Sequence, residues 1–244
     1  MQSTAVRKFN RFELKYLISL EMAEALKKDI RRYAILDDYG GGNGHYKLTS
    51  LYYDSPNYTY YWEKIDGLRF RRKLRIRWYE TAAGLQDDSI VFVEIKQRVD
   101  RVTQKKRVPM KYKEALLFCK EGVFPEEYEE RDRPYLEEMY EMIKLNNLEP
   151  KIITSYDREA YIGGKYDMGF RLTFDRYVSY RYRDLRLDAG TSDGLMIPAN
   201  MVIMEIKTNE RLPSWVSEMV ANHQLNLIRV SKYCQGIDKA KLLI

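Results

Sequence analysis

The chain has 244 residues, 45% of them apolar and 32% charged, a globular composition that suits one large α+β or β-barrel domain or two small ones. The formal charge of +6 points to an anionic partner without choosing among nucleotide, nucleic acid and membrane. Two widely spaced cysteines, Cys119 and Cys234, make neither a disulfide framework nor a zinc pattern, and no window of about 18 uncharged apolar residues offers a transmembrane helix.

The first residues are interrupted by charge and lack the apolar core of a signal peptide, so the expected address is a reducing cytoplasm. Residues 9–18 then alternate. Phe12, Leu14, Tyr16 and Ile18 point one way and Arg11, Glu13 and Lys15 the other, which is strand periodicity. Ser19 is an N-cap for a helix over 20–34, with Met22, Leu26 and Ile30 at helical spacing. The run GGGNG at 40–44 is a loop without the Lys-Ser/Thr ending of a phosphate-binding loop. A strand over 46–53 and a short helix within 55–66 follow.

Strands at 69–79, 90–98 and 101–109 carry most of the information, the first two joined through the polar turn 84–89. Helices are predicted over 113–121, stopped by Gly122, and over 133–146. Strands return at 151–161, 169–183 and 200–207. Pro213 opens a helix through about 223, and a last helix covers about 230–240, so each cysteine falls in a helical, apolar segment. His45 and His223 are read as surface or loop residues. No repeat or composition break demands a second domain, so residues 1–244 are read as one antiparallel α+β domain.

In the strand 69–79, Arg69, Arg71, Lys73, Arg75 and Arg77 share one face, opposite Phe70, Leu74, Ile76 and Trp78. Further on, Glu94, Lys96 and Arg98 oppose Val91, Val93 and Ile95. Tyr156 and Arg158 share a face, as do Arg171, Thr173 and Asp175, and so do Glu205 and Lys207; Lys105, Lys106 and Arg107 cluster. Two architectures satisfy this. An open sheet shows its charged face to water, or a barrel turns the charged faces inward under an outer layer of helices. Buried like charges demand a counter-charge. A phosphate chain supplies one, and arginine binds phosphate bidentately. The minority carboxylates Glu13, Glu94 and Glu205 either hold a divalent cation or pair with neighbouring Lys and Arg.

The ordered segments RFELKY, KLRIRWYE, FVEIKQR with TQKKR, ITSYDREAY, RLTFDR, MEIK and SKYCQG resemble the VTC catalytic domain of the triphosphate tunnel metalloenzymes, relatives of the CYTH phosphatases. The resemblance covers about residues 9–238. It implies an antiparallel β-barrel, a tunnel lined by basic residues and flanked by helices. It also implies polyphosphate synthesis from ATP with Mn²⁺ or Mg²⁺. By motif it implies catalytic roles for Lys15, Arg75, Arg77, Lys96, Arg158, Arg171 and Lys232. Phosphate contacts would come from Lys106, with Lys105 as the alternative, and from Tyr156 and Ser231; Arg69 and Lys73 extend the basic face as further contacts. Glu205 matches the metal-binding glutamate. Where CYTH hydrolases open with E-x-E-x-K, this chain has Arg11-Phe12-Glu13-Leu14-Lys15, a departure that favours the polymerase branch over a tunnel triphosphatase. A non-catalytic polyphosphate sensor is the third reading. Nucleic acid is not expected as a partner, because the cations alternate within strands. The sequence shows neither the SPX domain nor the membrane helices of the eukaryotic complex, so any coupling to a membrane would come through a partner protein.

Overall fold

A computed structural model describes residues 8–39, 43–100, 102–164, 167–209 and 211–243, with side chains from Phe12 onward. Residues 40–42 of the predicted glycine loop and the N-terminal 1–7 lie outside the described residues. The period-two segments become strands: β1 (Lys8–Ser19), β3 (His45–Asp54), β4 (Phe70–Tyr79), β5 (Ile90–Val99), β6 (Val102–Lys111), β7 (Glu149–Gly163), β8 (Arg171–Arg181) and β10 (Met201–Thr208). Two short strands, β2 (Ala34–Leu36) and β9 (Gly194–Leu195), add to the edges of β7 and β8. All pairings are antiparallel. They run β7-β3-β4-β5-β6-β1-β10-β8, and β8 pairs in turn with β7 from Ile153↔Arg181 to Ile162↔Arg171. The circuit therefore returns to its start, and each of its eight strands has a partner on both sides.

The apolar faces lie under the helices. Leu74, Ile76, Val91, Val93, Ile95 and Val108 pack with Ala115 and Phe118 of α3 (Tyr112–Glu121) and with Leu136, Met139 and Met142 of α4 (Arg133–Asn146). Ile18, Leu172, Phe174, Val202, Met204 and Ile206 pack with Leu26 and Ile30 of α1 (Leu20–Ile30) and with Val216 and Met219 of α5 (Ser214–Asn222). Full burial of one such side chain contributes about 1.5–3 kcal/mol, so the helices fix which strand face is left for polar residues.

Most predicted boundaries hold. Ser19 caps α1, accepting from the Met22 amide at 3.1 Å. Gly122 ends α3 in the left-handed region at φ 79°, where a Cβ would also strike the Tyr140 ring. Two predictions need correction. The helix expected over 20–34 stops at Ile30, because residues 34–36 find backbone partners along β7. Pro213 is the N-cap of α5, one residue ahead of its first turn. The short helix expected within 55–66 is α2 (Thr59–Ile65).

The last helix, α6 (Lys232–Ala240), is tied to the sheet by Asp54 at the end of β3. The buried Asp54 carboxylate accepts from the amides of Ser55, Tyr60 and Tyr61 and from the Tyr233 hydroxyl. That anchor holds the N-terminus of α6, and with it Ser231 and Lys232, beside the polar faces of the strands. Cys119 and Cys234 are buried and free, one on α3 and one on α6.

Candidate functional site

The polar strand faces converge, and their ion pairs reach across intervening strands. Glu94 of β5 is fully buried. Its carboxylate takes two hydrogen bonds from Arg75 of β4, at 2.8 and 2.6 Å, and one from Lys105 of β6 at 3.1 Å. Arg77 and Arg107 stand 3.9 and 4.0 Å away. Arg75 also donates to the Tyr52 hydroxyl at 2.8 Å. Arg77 has neutral partners, Ser50 at 3.2 Å and the Tyr156 hydroxyl at 3.1 Å.

A second centre forms where β1, β7, β8, β10 and α6 meet. Arg158 grips Asp175 bidentately at 2.6 and 2.7 Å. Lys232 bridges Asp175 at 2.6 Å and Glu205 at 2.9 Å, and its ammonium lies 4.6 Å from the centre of the Tyr156 ring. Lys15 and Lys207 approach Glu205 at 3.2 and 2.8 Å, and Arg158 at 3.8 Å. Lys96 pairs with Glu13 at 2.7 Å, spanning β6, which lies between β5 and β1. Lys73 donates to the Ser231 hydroxyl at 2.8 Å and contacts the Cys234 sulfur at 3.2 Å. Arg171 stands further along β8, paired with Asp37 at 2.6 Å and with the Tyr46 hydroxyl at 2.5 Å.

Such a set of cations, gathered on the polar strand faces and only partly matched by carboxylates, has the chemistry to take up a polyanion. The model of one family, the VTC domain, matches residues 10–241. The chain belongs to the VTC domain family. One relative is the vacuolar transporter chaperone complex subunit 4 of Schizosaccharomyces pombe, 24% identical over 232 residues; the match covers 78% of this chain and 31% of the relative. The chain thus spans about a third of the length of the curated relative it matches. Two solved structures share the fold. A Hippeastrum protein, named as a candidate adenylyl cyclase with a dominant triphosphatase activity, superposes with a TM-score of 0.56 at 14% identity, over 97% of this chain and 98% of its own. A Bacillus halodurans protein, named for a proposed adenylate cyclase activity, gives 0.55 at 16% identity over 93% and 96%.

In this VTC domain the structure brings together Lys15, Lys73, Arg75, Arg77, Lys96, Lys105, Tyr156, Arg158, Glu205, Ser231 and Lys232. Three of the sequence assignments fall outside this set: Arg171 sits further along the polar face of β8, on Asp37 and Tyr46, and the other two lie off that face. Arg69 precedes β4, is 91% exposed and faces Asp100 at 3.8 Å. Lys106 points to the opposite face of β6 and pairs with Glu138 of α4, which leaves Lys105 as the residue of that pair on the polar face. Asp175, Lys207 and Arg107 belong to the site but were read only as neighbours on a strand face. His45 is exposed, 3.9 Å from Glu159, and His223 pairs with Asp29 at 3.2 Å; neither reaches the cations. Among the described residues no helix is long and apolar enough to cross a membrane.

Burial opposes every charge here, and the neighbours decide the outcome. Burial alone would raise the Glu94 carboxyl, but Lys105, Arg75 and Arg77 hold it well below the usual carboxylate range. Lys15, Lys207 and Lys232 do the same for Glu205. Burial would lower Lys232, yet Asp175 and Glu205 raise it above the ordinary lysine value. Lys207 goes the other way: burial outweighs Glu205 and brings it down to about 7. Tyr52 drops to about 8, because Arg75 and Arg77 outweigh its burial.

No three His, Cys, Asp or Glu side chains among the described residues form a metal cage, and both Glu205 oxygens already face cations. The residues fit a divalent cation held jointly by Glu205 and phosphate oxygens, as Mg²⁺ is commonly held, and not one held by protein alone.

Proposed function

We propose that this VTC domain closes its strand circuit into a barrel whose tunnel binds nucleoside triphosphate and polyphosphate. It transfers the γ-phosphoryl of ATP to the end of a growing polyphosphate. The observation that carries this reading is the surplus of buried cations. Arg77 and Lys73 rest on neutral partners, while Lys15, Lys207, Lys232 and Arg158 share Glu205. A phosphate chain supplies the missing negative charge.

In the transfer, a terminal phosphate oxygen of the polymer forms a bond to the γ-phosphorus. The bond from that phosphorus to the β,γ-bridging oxygen breaks, and ADP leaves with the electron pair. The nucleophile is already ionised, so no general base is required; positioning and charge neutralisation dominate. Arg75, Arg77, Arg158 and Arg171 clamp phosphate oxygens. Lys15, Lys96 and Lys232 neutralise the transferring group, and Lys73, Lys105, Tyr156 and Ser231 hold the chain. Glu205 would hold Mn²⁺ or Mg²⁺, which would supply further neutralisation of phosphate charge.

A triphosphatase would use the same clamp with water as nucleophile, and the activity named for the Hippeastrum neighbour favours that as the second reading. Incubation with ATP and Mn²⁺, assayed for both polymer and free phosphate, separates them. Polymer that disappears in Glu205→Ala supports transfer. Free phosphate without polymer supports hydrolysis, and binding without either product leaves a sensor. The S. pombe relative is named as a subunit of a complex, so a membrane-protein partner and a cytoplasmic face belong to this proposal.

Lys207 gives a pH-dependent readout. At pH 8 a lysine near 7 is mostly neutral. A bound polyanion favours the charged form, so triphosphate binding takes up protons. Calorimetry in buffers of different ionisation heat at pH 8 is expected to show net proton uptake by wild type and much less by Lys207→Met. Equal uptake in both proteins would place the titrating group elsewhere.

A further inference from the structure

The polar faces of β3, β4 and β5 end in aromatic residues. Tyr46 lies four residues before Ser50, Tyr79 two beyond Arg77, and Phe92 two before Glu94, so strand alternation puts all three on the face that carries the cations. Their rings touch: Tyr46 and Tyr79 have centroids 5.7 Å apart, and Tyr79 and Phe92 are 5.8 Å apart, edge to face. Tyr39, from the segment after β2, closes over them at 4.6 Å from Tyr79 and 5.5 Å from Tyr46. Arg107 lies over the Phe92 ring at 4.3 Å while standing 4.0 Å from Glu94. It therefore joins the aromatic end to the Glu94 cation centre. A site for phosphate alone has no use for four aromatic rings, and Tyr39 remains 42% exposed.

We propose that Tyr39, Tyr79 and Phe92, with Arg107, form a subsite for the base of a nucleotide. This rests on the phosphate-binding reading of the same polar face and adds an orientation to it. The base stacks at the aromatic end, and the triphosphate runs past Arg107 toward Arg75, Arg77 and Lys105. Stacking on an aromatic face tolerates any base, so purine and pyrimidine nucleotides both bind, purines more tightly through their larger ring. Inorganic triphosphate occupies the cation centre without touching Tyr39.

The test is equilibrium binding of ATP and of inorganic triphosphate to wild type, Tyr39→Ala and Tyr39→Phe. The expected result is an ATP affinity lowered about 10-fold in Tyr39→Ala, kept in Tyr39→Phe, with triphosphate affinity unchanged in both. Tyr39 is exposed, so the melting temperatures should match. An unchanged ATP affinity in Tyr39→Ala overturns the subsite, as does an equal loss for ATP and triphosphate. Wild type that binds triphosphate but not ATP also overturns the subsite while leaving the phosphate site standing. Wild type that binds neither overturns both.

Discussion

Glu94→Gln is expected to destabilise the free protein by about 3–5 kcal/mol, the usual cost of removing one partner from a buried ion pair. It is also expected to make triphosphate a much stronger stabiliser than it is for wild type. Glu94 is fully buried and is the counter-charge shared by Arg75 and Lys105, with Arg77 and Arg107 within 4.0 Å. A glutamine fills the same space and still accepts a hydrogen bond, but it leaves those cations facing each other without an anion. Repulsion then opposes folding until a polyanion arrives. Thermal melts with and without inorganic triphosphate measure both effects. The melting point of the free variant should fall, and the shift produced by triphosphate should exceed the wild-type shift. A variant that melts like wild type without ligand would show that Glu94 is not the counter-ion of the site.

How much of this was legible in the sequence depends on the residue. The alternation in 69–79 placed Arg75 and Arg77 on one face, and the register sets Arg75 directly opposite Glu94. The run Lys105-Lys106-Arg107 hides its own alternation, because all three are cationic. The signal lay two and four residues on, in the buried Val108 and Met110, which share the face of Lys106 and turn it toward α4. Arg69 extends the charge pattern but falls in the turn before β4, where period two no longer applies. β2 and β9 are too short to show any period and exist through pairing alone. The bridge from Lys232 to Asp175 and Glu205 joins α6 to β8 and β10. Tertiary packing sets that meeting, and no local pattern announces it. The aromatic end escaped notice for the same reason: Tyr39, Tyr46, Tyr79 and Phe92 come from four separate segments.

Arg77→Ala is expected to lower turnover of ATP by about 10²–10³-fold, the range seen when one preorganised donor to a developing charge is removed, with little loss of stability. Two other arginines of the site are committed. Arg75 and Arg158 each hold a buried carboxylate through two hydrogen bonds, so removing either leaves an acid stranded and mixes folding with function. Arg77 is buried but held by the hydroxyls of Ser50 and Tyr156, with its nearest carboxylate at 3.9 Å. Neutral partners give up an arginine at low cost, so its guanidinium is more available to phosphate oxygens than those of Arg75 and Arg158. Removing it also relieves repulsion with Arg75, which offsets part of the lost packing. Arg77→Lys keeps the charge but loses the planar fork, and its turnover should fall between wild type and alanine. Steady-state rates beside thermal melts separate the two effects. A lysine variant as active as wild type would mean that Arg77 supplies charge alone, and an alanine variant as active as wild type would remove it from the phosphate clamp.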